Sequence, residues 1–352
     1  MKNILWIILP IIILLLSSCP MPFDDIARMS SRELIERKTR GVRNARITVG
    51  IVQNGQMSFT VYGENGRIRP NIEHIYEIGS ITKPITAQLF ARVISQGKVS
   101  LDDQIDRFLA LPVKAYYPTI RRLLTHTSGY RTDYYMGYLS TTNFLPFGNP
   151  AYGITRDMVL NHVKRINLDN RDYPFHYSNF GFAVAGLVLE EIYNEDFTSL
   201  VNNYLKSLGL NNTRVGNGRG DLQNYWRWNV GNPYIPSGGL VSTITDMMKF
   251  AQMQIDGTPF YVTPSHNVLA QIPRQWFPSE FYIRDDAMGL GWIIDSVNNI
   301  IWHAGETTTF CSFLGFDKTN EIAVVVLSNF RGNIHRPIDA FMIGSAIFKE
   351  LR

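Results

Sequence analysis

The chain has 352 residues, 45% hydrophobic and 18% charged, which is ordinary globular composition with length for one large core or two sub-domains. Its 34 Lys and Arg against 30 Asp and Glu leave a formal charge of +4 without a long basic run, which excludes the electrostatic footprint of a nucleic-acid-binding protein. The 7 histidines show neither H-x-H nor H-E-x-x-H spacing, so a zinc enzyme is excluded and no metal or other cofactor is expected.

The chain opens with a charged Met1-Lys2-Asn3 and an apolar stretch, Ile4 to Leu16, interrupted by Pro10 and too short to span a bilayer comfortably. This pattern predicts an export signal over residues 1–18. Leu16-Ser17-Ser18-Cys19 resembles a bacterial lipoprotein processing box. The expected mature chain starts at Cys19, acylated on sulfur and held on a membrane of the cell envelope. The competing reading is an ordinary cleaved signal in which Cys19 is incidental. The second of the 2 cysteines, Cys311, lies in the apolar run Phe310 to Phe316 and has no disulfide partner if Cys19 carries lipid.

After a short tether from Pro20, Asp25 to Lys38 predicts a first helix with Ile26, Leu34 and Ile35 among its apolar positions. Ala45 to Gln53 and Gln56 to Tyr62 are strand-like and flank Asn54-Gly55, a strong hairpin signal. Ser80 to Gln96 predicts a helix with Pro84 near its first turn and Gly97 closing it. Residues 100 to 260 read as mostly helical, clearest at Ile120 to Leu124 and Tyr177 to Ile192. Tyr130 to Tyr152 is a long polar and aromatic loop that could roof a cleft. Tyr225-Trp226-Arg227-Trp228 is a second candidate wall, or else packing against the helical part. Strand patterns return at Gly291 to Val297, Ile300 to His303, Phe310 to Phe316 and Ile322 to Ser328, and Ile338 to Leu351 closes as a helix. Strands at both chain ends, joined by hairpins and covered by two terminal helices, make an α+β layer.

Ser80-Ile81-Thr82-Lys83 carries the chemistry. A bare S-x-x-K arises easily by chance. At a helix start, residues i and i+3 share a face, so a hydroxyl and an amine converge on one point where the first-turn N–H groups favour negative charge. A serine beside a base is what nucleophilic acyl transfer requires, and a desolvated lysine can act as that base. Four further motifs follow in order: Leu123 to Gly129 (Leu-Leu-Thr-His-Thr-Ser-Gly), Tyr177-Ser178-Asn179, Pro236 to Thr243, and His303-Ala304-Gly305.

With these five motifs, over about residues 40 to 350, the chain resembles the serine β-lactamase and penicillin-binding-protein superfamily, in its class C β-lactamase, D,D-peptidase and family VIII esterase branch. The resemblance implies a five-stranded antiparallel sheet flanked by N- and C-terminal helices and an inserted all-helical domain, about residues 100–260, within a hydrolase domain spanning 39–352 after the tether and first helix, 19–38. It implies Ser80 as nucleophile, with Lys83 and Tyr177 handling protons. Asn179 would hold a substrate amide and orient Lys83, and His303 and Gly305 would lie along bound substrate.

An oxyanion hole would combine the Ser80 N–H with one from Glu306 or Thr307. A Glu306 carboxylate there would oppose the oxyanion unless it points away. His126 and Ser128 are read as structural, turning the chain and supporting the cleft floor. β-Lactamases of this branch usually carry Lys-Thr-Gly where His303-Ala304-Gly305 stands. A neutral histidine and an alanine weaken recognition of a substrate carboxylate.

The expected function is an exported serine hydrolase cleaving a β-lactam, a D-amino-acid peptide or a small ester, with peptidoglycan as one candidate substrate. The alternative is a catalytically inactive penicillin-binding-like protein that binds peptidoglycan or a protein partner.

Overall fold

The computed structural model describes residues 23–132, 148–273, 278–332 and 337–352. The export signal, Cys19 and most of the Tyr130 to Tyr152 loop lie outside the described residues.

The predicted first helix is two pieces, α1 (Phe23–Ala27) and α2 (Ser31–Thr39). Ser30 explains the break. Its hydroxyl accepts the Glu33 N–H while the Glu33 carboxylate accepts the Ser30 N–H, a capping box that starts a new helix. β1 (Ile47–Gln53) and β2 (Gln56–Tyr62) form the predicted hairpin. Asn54 and Gly55 both have positive φ, 49° and 75°, as a two-residue turn of this hand requires.

The remaining strands are β3 (Ile68–Arg69), β4 (Tyr76–Glu77), β5 (Arg214–Val215), β6 (Leu240–Ser242), β7 (Ala270–Gln271), β8 (Ala287–Met288), β9 (Ile293–Asp295), β10 (Ile300–Glu306), β11 (Cys311–Asp317) and β12 (Ile322–Ser328). The main sheet has nine strands, in the order β3-β2-β1-β12-β11-β10-β9-β8-β7, and is antiparallel throughout. Five of them, β2, β1, β12, β11 and β10, have seven residues each and correspond to the expected five-stranded sheet. The other four are two or three residues long: β9 lies inside the strand expected over Gly291 to Val297 and is shorter than read, and β3, β7 and β8 are too short to leave an alternating pattern in the sequence.

The centre of the sheet, at β11 and β12, is buried on both faces. Along β12, Val324 and Val326 pack with Leu34, Phe341 and Phe348, whereas Val325 and Leu327 pack with Ile244, Met248 and Phe250. This two-sided burial accounts for the unbroken apolar run Ile322 to Leu327. One cover is α2 with the C-terminal helix α10 (Ala340–Leu351), and the other is α9 (Ile244–Asp256). Between residues 100 and 260 the described chain is mostly helical, in α4 (Ile120–Leu124), α5 (Arg156–Arg165), α6 (Asn179–Tyr193), α7 (Phe197–Ser207) and α8 (Ile235–Gly238), but it also supplies β5 and β6, which join β4 in a small second sheet. Helix α3 (Thr82–Ser95), which carries Lys83, lies between these parts, buried along nearly its whole length.

Candidate active site

Ser80 sits one turn ahead of α3, in a 3-10 turn over Gly79–Ile81. The turn begins at Gly79, whose φ is +49°. A Cβ on Gly79 would lie 2.7 Å from the Glu306 nitrogen, so only glycine permits this approach of the turn to β10. Gly305 answers from the other side: its Cβ would meet the Ile78 carbonyl at 2.0 Å and the Ser80 nitrogen at 2.9 Å. The expectation that Gly305 leaves room for substrate is therefore incomplete. Its missing side chain first admits the nucleophile turn, although Gly305 also lines the larger cavity described below.

The Ser80 hydroxyl lies between two proton-carrying groups. Lys83 Nζ donates to Ser80 Oγ at 2.9 Å and Tyr177 Oη donates to the same oxygen at 2.7 Å. Lys83 is fully buried and also donates to Asn179 Oδ1 at 2.8 Å and to the Ser237 carbonyl at 2.6 Å. Three acceptors match the three hydrogens of an ammonium group. Ser237 was quoted in the sequence only as part of its motif, and its backbone role as lysine anchor leaves no side-chain signal there. Tyr177 and Ser178 precede α6 rather than opening it, because the Ser178 hydroxyl caps the helix by accepting the Gly181 N–H. Asn179 is then the first helical residue.

His126 supports this arrangement from below, as expected. Its Nδ1 accepts the Ser178 N–H at 3.0 Å and its ring lies 4.4 Å from that of Tyr177, centroid to centroid. Ser128 accepts the Tyr130 N–H within the same turn.

On the strand side, Thr307 N–H donates to Phe310 O and closes the β10–β11 hairpin, with Glu306 the next residue pair inward, opposite Cys311. Antiparallel alternation turns the Glu306 N–H away from β11, toward Gly79 and Ser80. Of the two residues considered for the hole, Glu306 is thus the one that faces Ser80. Its carboxylate reaches outward to Arg331, 3.2 Å away, which answers the conflict anticipated from the sequence.

His303 is 2% exposed and lies beside Tyr177, the ring centroids 6.3 Å apart. Burial, with the neighbouring Lys83 charge, pushes its pKa down to about 3, so the ring is neutral over the physiological range. Nδ1 donates to the Ala304 carbonyl at 2.6 Å, which makes Nε2 an acceptor. Nε2 is buried and has no hydrogen-bond partner among the described residues.

Two cavities flank Ser80. The smaller, about 120 Å³, is walled by Trp226, Trp228, Tyr234, Ile154 and Asn149. The larger, about 370 Å³, is lined by Tyr177, His303, Gly305, Ser312, Asp339 and Phe341. The aromatic cluster read from the sequence therefore divides its work. Trp226 and Trp228 face the cleft, whereas Tyr225 packs on Phe310 and its hydroxyl donates to the Ile75 carbonyl.

A family model described as Beta-lactamase matches residues 32–343, most of the chain. The chain belongs to the beta-lactamase family. Members of this family are serine hydrolases, and the serine, lysine and tyrosine brought together here lie within the matched span. Protein flp of Staphylococcus aureus is 22% identical over 305 residues, covering 79% of this chain and 58% of that protein, so the chain spans just over half the length of this curated relative. Among solved structures, a beta-lactamase/D-alanine carboxypeptidase from Yersinia pestis superposes with a TM-score of 0.70 at 17% identity, covering 94% of this chain and 98% of that one. A D-amino acid amidase from Ochrobactrum anthropi gives a TM-score of 0.70 at 16% identity, covering 91% and 98%. At these identities the structural likeness establishes the fold.

Proposed function

We propose that this protein is an exported serine hydrolase that cleaves an amide or ester through an acyl-enzyme on Ser80. The observation that carries the reading is the Ser80 hydroxyl held within hydrogen-bonding distance of both Lys83 Nζ and Tyr177 Oη. In the proposed reaction the Ser80 oxygen attacks the substrate carbonyl carbon. Its proton passes to Tyr177 in the phenolate form, a form favoured by the adjacent Lys83 ammonium, and then to the departing nitrogen or oxygen. The Ser80 and Glu306 N–H groups receive the negative charge on the carbonyl oxygen. Water, deprotonated by the same tyrosine, then releases the acid and restores Ser80.

His303 bears on the substrate. A neutral ring presenting a buried acceptor suits a substrate that brings an N–H, as a peptide or amino-acid amide does, and does little for a carboxylate. The carboxypeptidase and the amidase that share this fold are named for compounds of D-amino acids, which favours the same direction. A β-lactam is the less suited substrate, since its carboxylate finds no lysine at this position. The amino-terminal pattern supports export, and Cys19 supports attachment to a membrane of the cell envelope by lipid, with peptidoglycan fragments within reach.

The test is intact mass of the purified chain after exposure to a penicillin and, separately, to a fluorophosphonate, beside Ser80→Ala. Fluorophosphonate labelling that vanishes in Ser80→Ala is expected, with little or no penicilloyl adduct. Absence of any Ser80-dependent adduct in a demonstrably folded protein would overturn the assignment.

A further inference from the structure

Glu77, on β4 and three residues before the nucleophile, is a carboxylate that the chemistry above does not use. It is 4% exposed. One oxygen accepts the backbone N–H of Trp226, and the other accepts the Thr307 hydroxyl at 2.7 Å. These partners belong to two segments far apart in the chain, the Trp226 wall of the smaller cavity and the β10–β11 hairpin. Thr307 directly follows Glu306, whose N–H faces Ser80, and its hydroxyl also accepts the Phe310 N–H at 3.0 Å within the hairpin turn. Trp226 walls the smaller cavity, and its indole N–H donates to Thr308 Oγ1 at 2.5 Å. One buried side chain therefore ties the nucleophile segment, the oxyanion hairpin and the aromatic wall together.

We propose that Glu77 is a positioning residue, which in its ionised form holds the hairpin and the Trp226 wall at their working distance from Ser80. The proposal rests on the reading of Ser80 as nucleophile. Both partners donate to Glu77, so the ionised carboxylate satisfies both. A proton on the oxygen facing Thr307 would bring two hydrogens into opposition, and the Thr307 hydroxyl would have to turn away. The surroundings leave protonation within physiological reach. Burial raises the Glu77 pKa to about 7, against the smaller lowering effects of Thr307 and Trp226.

The charged and titratable groups on the elements packed around it are Tyr76 and His74 beside β4, Arg214 on β5, Asp221, Tyr225 and Arg227 beside Trp226, and His303 and Glu306 on β10, while β6 brings none. Arg214 and Asp221 act on the Tyr225 phenol, and His74 is paired with Asp221. No cation is among the groups that set the ionisation of Glu77.

The experiment compares the purified full chain with Glu77→Gln and Thr307→Val. It measures kcat/KM against pH for Ser80-dependent hydrolysis of p-nitrophenyl acetate, and hydrogen exchange of the 303–313 segment corrected for intrinsic rates. The parent protein is expected to lose activity, and protection of the hairpin, as pH falls through about 7. Glu77→Gln is expected to lack that limb and to run about 10-fold or more slower at mildly alkaline pH, the size of effect a misplaced wall produces. Thr307→Val removes a group that lowers the Glu77 pKa, so its acid limb should move to higher pH. A merely structural role would lower stability without moving that midpoint. An unchanged acid limb and unchanged protection in both variants would overturn the proposal. If no protein showed Ser80-dependent turnover, the functional reading would fail instead, and hydrogen exchange would still decide whether Glu77 holds the hairpin.

Discussion

The two flanks of Ser80 are built to different standards of completeness. On the helical flank, Lys83 already donates to Ser80, Asn179 and Ser237, and Tyr177 is held between Ser80 and the His126 ring. His126 Nε2 beneath Tyr177 and His303 Nε2 on the strand flank are both buried without a hydrogen-bond partner among the described residues, but of the two only His303 lines the larger cavity, where a ligand could reach it. A buried unpaired acceptor costs on the order of 1–3 kcal/mol, which a ligand donating an N–H recovers. Under the proposed function, the half that carries the chemistry is thus preorganised in the free protein, whereas the half that would recognise substrate is completed by what it binds.

This contrast can be broken most severely at Lys83. Lys83→Ala strips three hydrogen bonds from the helical flank and should reduce the rate constant for phosphonylation of Ser80 by about 10³-fold or more in a fluorophosphonate time course. Tyr177→Phe removes only the proton carrier and should lower kcat by about 10²-fold with KM nearly unchanged, because the ring still packs on His126. On the strand flank the signature should be reversed. His303→Leu, which deletes the acceptor, should raise KM for an amino-acid amide by about 10-fold while kcat moves little.

The same variant tests the electrostatics of the strand flank. The folded-state pKa of His303 lies below its ordinary value, so the unfolded chain binds the proton first and stability falls as pH drops from about 6.5 toward 3. Between about pH 6.5 and 5 that loss is about 2 kcal/mol, and urea titrations should show it diminished in His303→Leu. In global unfolding, which exposes the carboxylate, Glu77 has the opposite sign: its pKa is raised, so its contribution declines as pH rises from about 4.5 to 7, whereas a local loosening of the hairpin that leaves Glu77 buried loses its two donors as pH falls. The smallest effect is expected for Glu306→Gln. The carboxylate lies about half exposed against Arg331, so stability should change by less than about 1 kcal/mol and kcat by no more than a few-fold.

Much of this was legible in the residues. The five long strands, the Asn54-Gly55 turn and the convergence of Ser80 with Lys83 follow from periodicity, turn chemistry and helix geometry. What escaped was set by contacts across the chain. The Glu306 carboxylate could not be placed without Arg331, a residue on the loop after β12. The lysine anchor at Ser237 is a carbonyl, which every residue type possesses. Glu77 looked like one polar position in a short apolar stretch, and only its two donors from distant segments mark it as a tether. Ser30 is the exception: Ser-x-x-Glu is written in the sequence, but the apolar positions Ile26, Leu34 and Ile35 on either side of it read as one continuous helix.

The β1–β12 pairing joins the two ends of the chain. Until β12 has been synthesised, the β1–β2 hairpin presents a bare edge of unpaired amides and carbonyls, a template for the wrong partner. The wait is roughly tens of seconds at ordinary rates of synthesis. The Ser80 turn cannot be seated either, because Gly305 and Glu306, which press against it, arrive nearly as late. A chain that still lacks β10 and β12 therefore has nothing to seat the Ser80 turn against, however much of the rest has formed.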